Sequence, residues 1–358
     1  MTNQQMKTRM IYMALTLTLA LTFYACGGSK VNTQASSTES RQPAPVSVSF
    51  NADSAYAFCQ AQCAFGPRTM NSEAHEQCGQ WIARKFQSYG LQVTEQRTTV
   101  KGFDGTPLLA NNIIASYKPE LADRILICAH WDSRPWADND PDEANHSKPV
   151  MAANDGASGV AVMLELARLL AREAPPSSPE GDTHAGKPAD KPNEASTGAA
   201  DGAFGIDFIC FDAEDWGDHG DGDSWCLGSQ YWAANPHKPG YKARFGILLD
   251  MVGGQQARFY REYFSTKYAN PVVDRVWRAA ATAGYSGYFL QEENGAITDD
   301  HLPVNEIAKI PCIDIIPYYP YSDNSFGPTW HTVSDDMQHI DKNTLKAVGQ
   351  TLVQVIWE

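Results

Sequence analysis

Arg124-Ile125-Leu126-Ile127-Cys128-Ala129-His130-Trp131-Asp132 is a run of apolar, β-prone residues closed by a histidine and a carboxylate. A short uninterrupted apolar run of this kind reads as a strand buried on both faces. The pattern recurs. Ile206-Asp207-Phe208-Ile209-Cys210-Phe211 runs into Asp212-Ala213-Glu214-Asp215, and Phe245 to Leu249 runs into Asp250. Ile313 to Ile316 reads as a further strand, and Asn154-Asp155-Gly156, Thr298-Asp299-Asp300-His301 and Trp330-His331-Thr332 add further acid and imidazole groups. Strands that each end in Asp, Glu or His suggest a parallel sheet that delivers these groups to its carboxyl edge, where open α/β sheets build their sites.

Helices flank these strands in the pattern. Asp53 to Ala64 and Ser72 to Tyr89 read as helices, the second with Cys78, Trp81, Ile82, Phe86 and Tyr89 at helical spacing and Gly90 as its stop. Val93 to Val100 and Asn112 to Ala115 read as strands. Gly156 to Arg172 places Val160, Met163, Leu164, Ala167 and Leu170 on one face. Lys342 to Ile356 turns Leu345, Val348, Leu352 and Val355 inward behind Asp341 as cap. Strands alternating with helices imply an α/β protein, a three-layer α/β/α sandwich with a mixed, largely parallel central sheet.

The chain has 358 residues, 43% of them hydrophobic, enough for a sizeable core. Its 28 Lys and Arg stand against 42 Asp and Glu, a formal charge of −14, which argues against nucleic acid as a partner. Lys7 and Arg9 precede the apolar stretch Ile11 to Tyr24, with the layout of a signal peptide over residues 1–25. Cys26 follows a small residue at its end, as in a bacterial lipoprotein signal, and is the expected lipidation site. Residues 26–45 read as a tether. Residues 46–358 read as one catalytic domain, interrupted at about 174–203 by a Pro-, Ser-, Gly- and Ala-rich insertion that cannot bury a core. The expected location is the periplasmic side of the cell envelope, with membrane contact through the lipid alone. Of the eight cysteines, Cys128, Cys210 and Cys312 lie inside strand-like runs, and Cys59, Cys63 and Cys78 are close enough to contain one disulfide of open pairing.

Carboxylates and imidazoles without a thiol cluster suit a catalytic zinc with one open position. Asp155, Asp215 and His331 are the candidate ligands. Each has an alternative reading: Asp155 as a helix cap, Glu214-Asp215 as a surface turn, His331 as a structural histidine. Adjacent carboxylates repel and need a cation or a proton to answer them. His130 and Asp132, an H-x-D pair, could hold a second metal or orient the first set of ligands. Asp218, Asp221 and Asp223 alternate as calcium ligands would, but no downstream Glu completes the loop, so a solvated turn is the alternative.

These motifs, in this order, resemble the zinc-dependent aminopeptidase superfamily, and within it the animal-type (type II) glutaminyl-peptide cyclotransferases as found in Bacteroidetes. The resemblance covers roughly residues 50–358. It rests on Phe65-Gly66-Pro67-Arg68, Ala129 to Ser133, the Asp155 turn, Phe211 to Asp215, Gly228-Ser229, Leu248 to Asp250, Asp299-Asp300-His301-Leu302-Pro303 and Trp330-His331-Thr332.

The resemblance implies one zinc per molecule on Asp155, Asp215 and His331, with Glu214 as general acid/base. It also implies Asp250 and Asp299 around the leaving amide nitrogen, and Trp225 and Trp330 as pocket walls. The implied reaction turns N-terminal glutamine of peptides and proteins into pyroglutamate with release of ammonia; a monomer is the expected state, which the sequence does not itself show. Two departures stand out. Asp215 occupies a position where many relatives carry Glu. Ala129 and Val160 occupy the positions of the disulfide near the metal of the animal enzymes. The rival reading is a zinc aminopeptidase holding two metals on His130, Asp155, Asp215, Asp250 and His331. A binding lipoprotein on a degenerate peptidase fold would have lost one of these residues, and all positions are filled.

Overall fold

The computed structural model describes residues 44–173 and 204–358. The expected signal peptide, the lipidation site Cys26, the tether up to residue 43 and the insertion at 174–203 lie outside the described residues.

In sequence order the elements are α1 (Ala52–Cys63), α2 (Glu73–Ser88), β1 (Gln92–Lys101), β2 (Pro107–Tyr117), β3 (Arg124–His130), α3 (Ala157–Glu173), β4 (Gly205–Phe211), α4 (Leu227–Ala234), β5 (Gly246–Leu249), β6 (Phe259–Arg261), α5 (Tyr263–Thr282), β7 (Phe289–Glu293), α6 (His301–Glu306), β8 (Cys312–Ile315) and α7 (Lys342–Trp357). Six strands form one sheet in the order β1-β2-β4-β3-β5-β8. The β1/β2 and β2/β4 pairs are antiparallel, and β4/β3, β3/β5 and β5/β8 are parallel. The central strands β3 and β4 are buried along their whole length, as their continuous apolar runs require.

Alternation along β3 divides the core. Ile125, Ile127 and Ala129 join one cluster with Phe58, Ile82, Val160, Val276 and Val348, from α1, α2, α3, α5 and α7. Leu126 and Cys128 join the other with Trp232 of α4 and Val304 of α6. Helices therefore cover both faces of the sheet, and the three-layer architecture holds. The caps are those the sequence offers: Asn51 accepts from the Ser54 N–H, Ser72 from His75 and Asp341 from Asn343. Gly90 takes φ +80° just past α2.

Helix α5 is not evident in the sequence. Pro271 interrupts its pattern, and Ala269 leaves helical geometry at φ −141°, shortly after the Glu262 cap. The two-stranded parallel pair β6/β7 is equally silent, because three and five residues carry too little periodicity.

The disulfide expected among Cys59, Cys63 and Cys78 is not formed: all seven described cysteines are free thiols. Cys59 and Cys63 lie one turn apart on α1, and the Cys59 thiol instead donates to the Ala153 carbonyl at 3.0 Å. Asp218, Asp221 and Asp223 form an exposed turn in which Asp218 accepts from the Gly220 N–H and Asp221 from the Asp223 N–H. Side chains used in this way describe the solvated turn.

Candidate metal and catalytic site

The carboxyl ends of β3, β4 and β5, the turn before α3 and the loop leading towards α7 converge on one point. Asp155, Asp215 and His331, all buried, each offer a ligand atom within 4.8 Å of the others. His331 Nε2 lies 3.2 Å from Asp215 Oδ1 and 3.7 Å from Asp155 Oδ2. Asp215 Oδ2 has no hydrogen-bond partner among the described residues. Buried carboxylates facing one another around an imidazole, with an orphaned oxygen, are the donor set a zinc ion satisfies.

The backbone around this point is held in unusual conformations. Ala152, Ala213, Met251 and His331 all take positive φ, from 49° to 57°. Such residues cost conformational energy and persist where surrounding bonds over-determine them. The bonds are present. Asp132 accepts from the N–H of both Glu214 and Asp215, at 3.1 Å each. Asp335 does the same for Asn154 and Asp155, at 2.7 and 3.0 Å. His130 Nε2 meets Asp155 Oδ1 at 2.9 Å, and its Nδ1 lies 3.4 Å from Asp132. The Asp155 carboxylate thus faces two imidazoles rather than capping α3. Arg134 supplies a cation, paired with Asp138, 3.4 Å from Asp215 Oδ1 and 4.8 Å from the Trp225 ring centre.

A cavity of about 240 Å³ opens where these three residues meet, lined by Asp155, Glu214, Asp250, Asp299, Trp225, Trp330 and His331 among others. Trp330 stacks on His331 with ring centres 3.8 Å apart, and Trp225 lies nearly parallel to the same imidazole at 6.0 Å. The electrostatics of its acids differ. Burial, reinforced by Asp215, Asp299 and Asp300 and opposed by His130, pushes the Glu214 carboxyl well above the carboxylate range. Burial and then the Asp250 charge raise Asp299 to about 7. Burial raises Asp250 to about 6 against the opposing bond from His130. Burial also works against charge on Asp155, but the bond from His130 and the charges of His130, His331 and Arg134 outweigh it and hold the carboxyl below its ordinary value. The cavity thus combines a metal-binding corner with acids able to carry a proton near neutral pH.

All the sequence-predicted site residues of the catalytic domain meet here, including His130 and Asp132. His130, Asp155 and Asp250 form a second group that could hold a metal, sharing Asp155 with the first. Sequence reasoning missed Asp335, Cys226, His219 and Asp314. Asp335 sits in a Ser-Asp-Asp stretch that reads only as a turn. His219 lines the cavity from the Gly-rich loop, and Asp314 is buried in mid-strand in β8, with its Oδ2 4.0 Å from His301 Nδ1.

The family model described as Peptidase family M28 matches residues 112–356. A Bacteroides thetaiotaomicron glutaminyl cyclase bound to N-acetylhistamine is 48% identical, with a TM-score of 0.77 over 87% of this chain and 99% of that one. A Zn-dependent exopeptidase from Parabacteroides distasonis is 46% identical, with a TM-score of 0.78 over 87% of this chain and 99% of that one. Among curated proteins, an aminopeptidase of Bacillus subtilis is 27% identical over 75% of this chain and 49% of its own length. A glutaminyl-peptide cyclotransferase of Gloydius blomhoffii is 24% identical over 69% of this chain and 65% of its own. The matched region thus spans between half and two thirds of the length of these curated relatives. The strand-end acids, the metal corner and the match over most of the described residues agree: this chain belongs to peptidase family M28.

Proposed function

We propose that the protein is a zinc-dependent glutaminyl-peptide cyclotransferase that converts N-terminal glutamine of peptides and proteins to pyroglutamate. The observation that carries this reading is a small cavity whose lining combines residues of a metal corner with the protonatable Glu214 and Asp299. At about 240 Å³ it is smaller than the roughly 300–1,000 Å³ of sites that enclose drug-sized ligands. The glutaminyl cyclase and Zn-dependent exopeptidase relatives support both the activity and the metal.

Asp155, Asp215 and His331 would hold one zinc, which supplies Lewis-acid polarisation of the glutamine γ-carbonyl. The substrate's own α-amine attacks the carbonyl carbon of the side-chain amide. A ring C–N bond forms, the amide C–N bond breaks, and ammonia leaves. Trp225 and Trp330 confine the glutamine so that amine and carbonyl stay near each other, which removes much of the entropic barrier to closure. Glu214 takes a proton from the amine and returns it to the leaving nitrogen, and its raised pKa suits that exchange. Asp299, its carboxyl raised in part by the Asp250 charge, accepts from the departing amide nitrogen. Asp215 in place of Glu shortens one ligand arm by a methylene, and the Asp132 and Arg134 contacts hold the turn that carries it.

One observation favours a second reading. The His130–Asp155–Asp250 group could hold another metal, as a hydrolytic aminopeptidase would use it. Mass spectrometry of a Gln-leading peptide, with and without a zinc chelator, separates the two. Chelator-sensitive loss of one ammonia with no residue removed supports cyclisation. Release of the first residue, also from peptides lacking Gln, with two zincs per molecule, sinks it.

On sequence alone, we further propose a monomer lipidated at Cys26 on the periplasmic side of the envelope. Intact mass of the protein extracted from membranes, compared with Cys26→Ala, tests the acylation.

A further inference from the structure

We infer that Cys226 is a positioning residue for Glu214: its thiol binds one carboxylate oxygen and leaves the other to face the substrate. This rests on the cyclase reading for its consequence, but its geometry stands alone. Cys226 Sγ lies 3.3 Å from Glu214 Oε1, and the residue is 1% exposed. The two residues are also joined through the backbone, by the Cys226 N–H to the Glu214 carbonyl at 3.0 Å. The neighbouring Leu227 N–H reaches the Ala213 carbonyl at the same distance.

Cys226 stands at the start of α4 with φ 58° and ψ 32°, a left-handed conformation unusual for a residue with a side chain, and makes no capping bond there. The conformation is kept because α4 docks tightly on the 212–214 turn. A Cβ at Gly228 would lie 1.9 Å from the Asp212 carbonyl oxygen, so only glycine permits this approach. Ser229 Oγ donates to the Cys226 carbonyl and locks the start of the helix. The strained turn therefore aims the thiol at Glu214 rather than at the helix end.

The chemistry fits a thiol. Glu214 Oε2 lies 4.0 Å from His130 Nδ1, beyond hydrogen-bond reach, so the bond to Oε1 is what distinguishes the two oxygens. An S–H group is a weak donor, enough to select a rotamer without tying up the carboxylate as a guanidinium or ammonium would. Burial, followed by the charges of Glu214, Asp300 and Asp299, keeps the sulfur protonated and therefore a donor. Glu214, Cys226 and Asp299 each place one polar atom within 4.8 Å of the others, so the thiol stands beside both acids of the reacting site.

The test compares the zinc-loaded full-length protein with Cys226→Ser, Cys226→Ala and Cys226→Val. In the alanine and valine variants, kcat for a Gln-leading peptide should fall about tenfold, the scale of one lost hydrogen bond, with KM and zinc content unchanged. Serine, which restores a donor, should recover most of it. Infrared spectroscopy reads the bond without any activity. The S–H band that disappears in Cys226→Ala should lie at the lower frequency of a bonded thiol, and should move upward in Glu214→Ala. Wild-type kcat in both apolar variants, or a thiol band that ignores Glu214→Ala, overturns the proposal. Absence of ammonia release from the unaltered protein would instead overturn the cyclase reading, with the thiol band still deciding whether the bond exists.

Discussion

The two ends of the central sheet both bury charge, and they treat it in opposite ways. At the amino-terminal end of β3 and β4, Arg124 meets Asp207 through Nε and through Nη2, the latter at 2.8 Å. Ser116 and Tyr241 hydroxyls donate to the same carboxylate, and Arg124 also serves the carbonyls of Tyr117, Lys118, Leu121 and Ile206. At the carboxyl end, Glu214, Asp215, Asp250 and Asp299 crowd together with an orphaned oxygen on Asp215. A buried charge with every bond answered is a structural joint. A group of buried acids left short of partners is suited to a cation, a proton or a substrate.

The pKa directions state the same contrast. Burial alone would raise Asp207, but the bonds from Arg124, Ser116 and Tyr241 outweigh it and hold its carboxyl below the ordinary value. At the other end burial dominates, and Asp250 and Asp299 rise to about 6 and about 7.

The contrast is tested most directly by chemistry. Glu214→Gln should keep zinc and fold and lose roughly a hundredfold or more of turnover, within the usual range for an acid/base group, as read by ammonia release and metal analysis. Near-full activity would remove Glu214 from that role. Asp155→Ala and His331→Ala should lose the metal as well as the turnover, and a variant that retains stoichiometric zinc would exclude its residue as a ligand.

At the structural end the largest effect should be on stability alone. Arg124→Met leaves Asp207 buried and uncompensated, and should cost about 3–5 kcal/mol in chemical denaturation with kcat unchanged in the protein that remains folded. A loss below about 1 kcal/mol would mean the pair is no more than a surface ion pair in its energetics.

Acid titration probes the difference further. A carboxyl raised in the folded state takes up protons that the unfolded polypeptide does not hold, so it weakens the fold as pH rises through its folded value. Metal-free protein should therefore lose stability between about pH 5 and 7.5 as Asp250 and Asp299 ionise. Asp207, depressed in the folded state, contributes fully over that window, and its contribution is lost only as pH falls through its low folded value. Thermal melts of chelated protein across this range check the sign.

The smallest effect is the most specific. In the metal-free protein, Asp215→Asn removes a repelled charge and should raise Tm by a few degrees, whereas Asp207→Asn should lower it. If Asp215→Asn also lowers Tm, the acids at the carboxyl end are not in repulsion.

The legible part of the fold is the part written in local periodicity. The apolar runs of β3 and β4 and the stripes of α2, α3 and α7 state both element type and buried face, because side-chain direction follows from a period of 2 or 3.6. Helix α5, broken by Pro271, and the short β6 and β7 carry no such signal. Strand-end acids are legible as candidates because several separate buried strands each deliver one to the same edge, although any one of them alone could equally serve a turn or a cap.

Residue order is enough to establish the α/β class, the buried strands, and which acids and imidazoles stand at strand ends. It takes the folded molecule to bring Asp155, Asp215 and His331 within 4.8 Å, to set Asp132 and Asp335 against the two ligand turns, and to face Cys226 towards Glu214. Folding likewise determines which buried acid is paired and which is exposed to its neighbours' charge. The physical reason is range. Periodicity and propensity act over a few residues, whereas Arg124 and Asp207, or Asp155 and His331, meet only when segments distant in the sequence are set side by side.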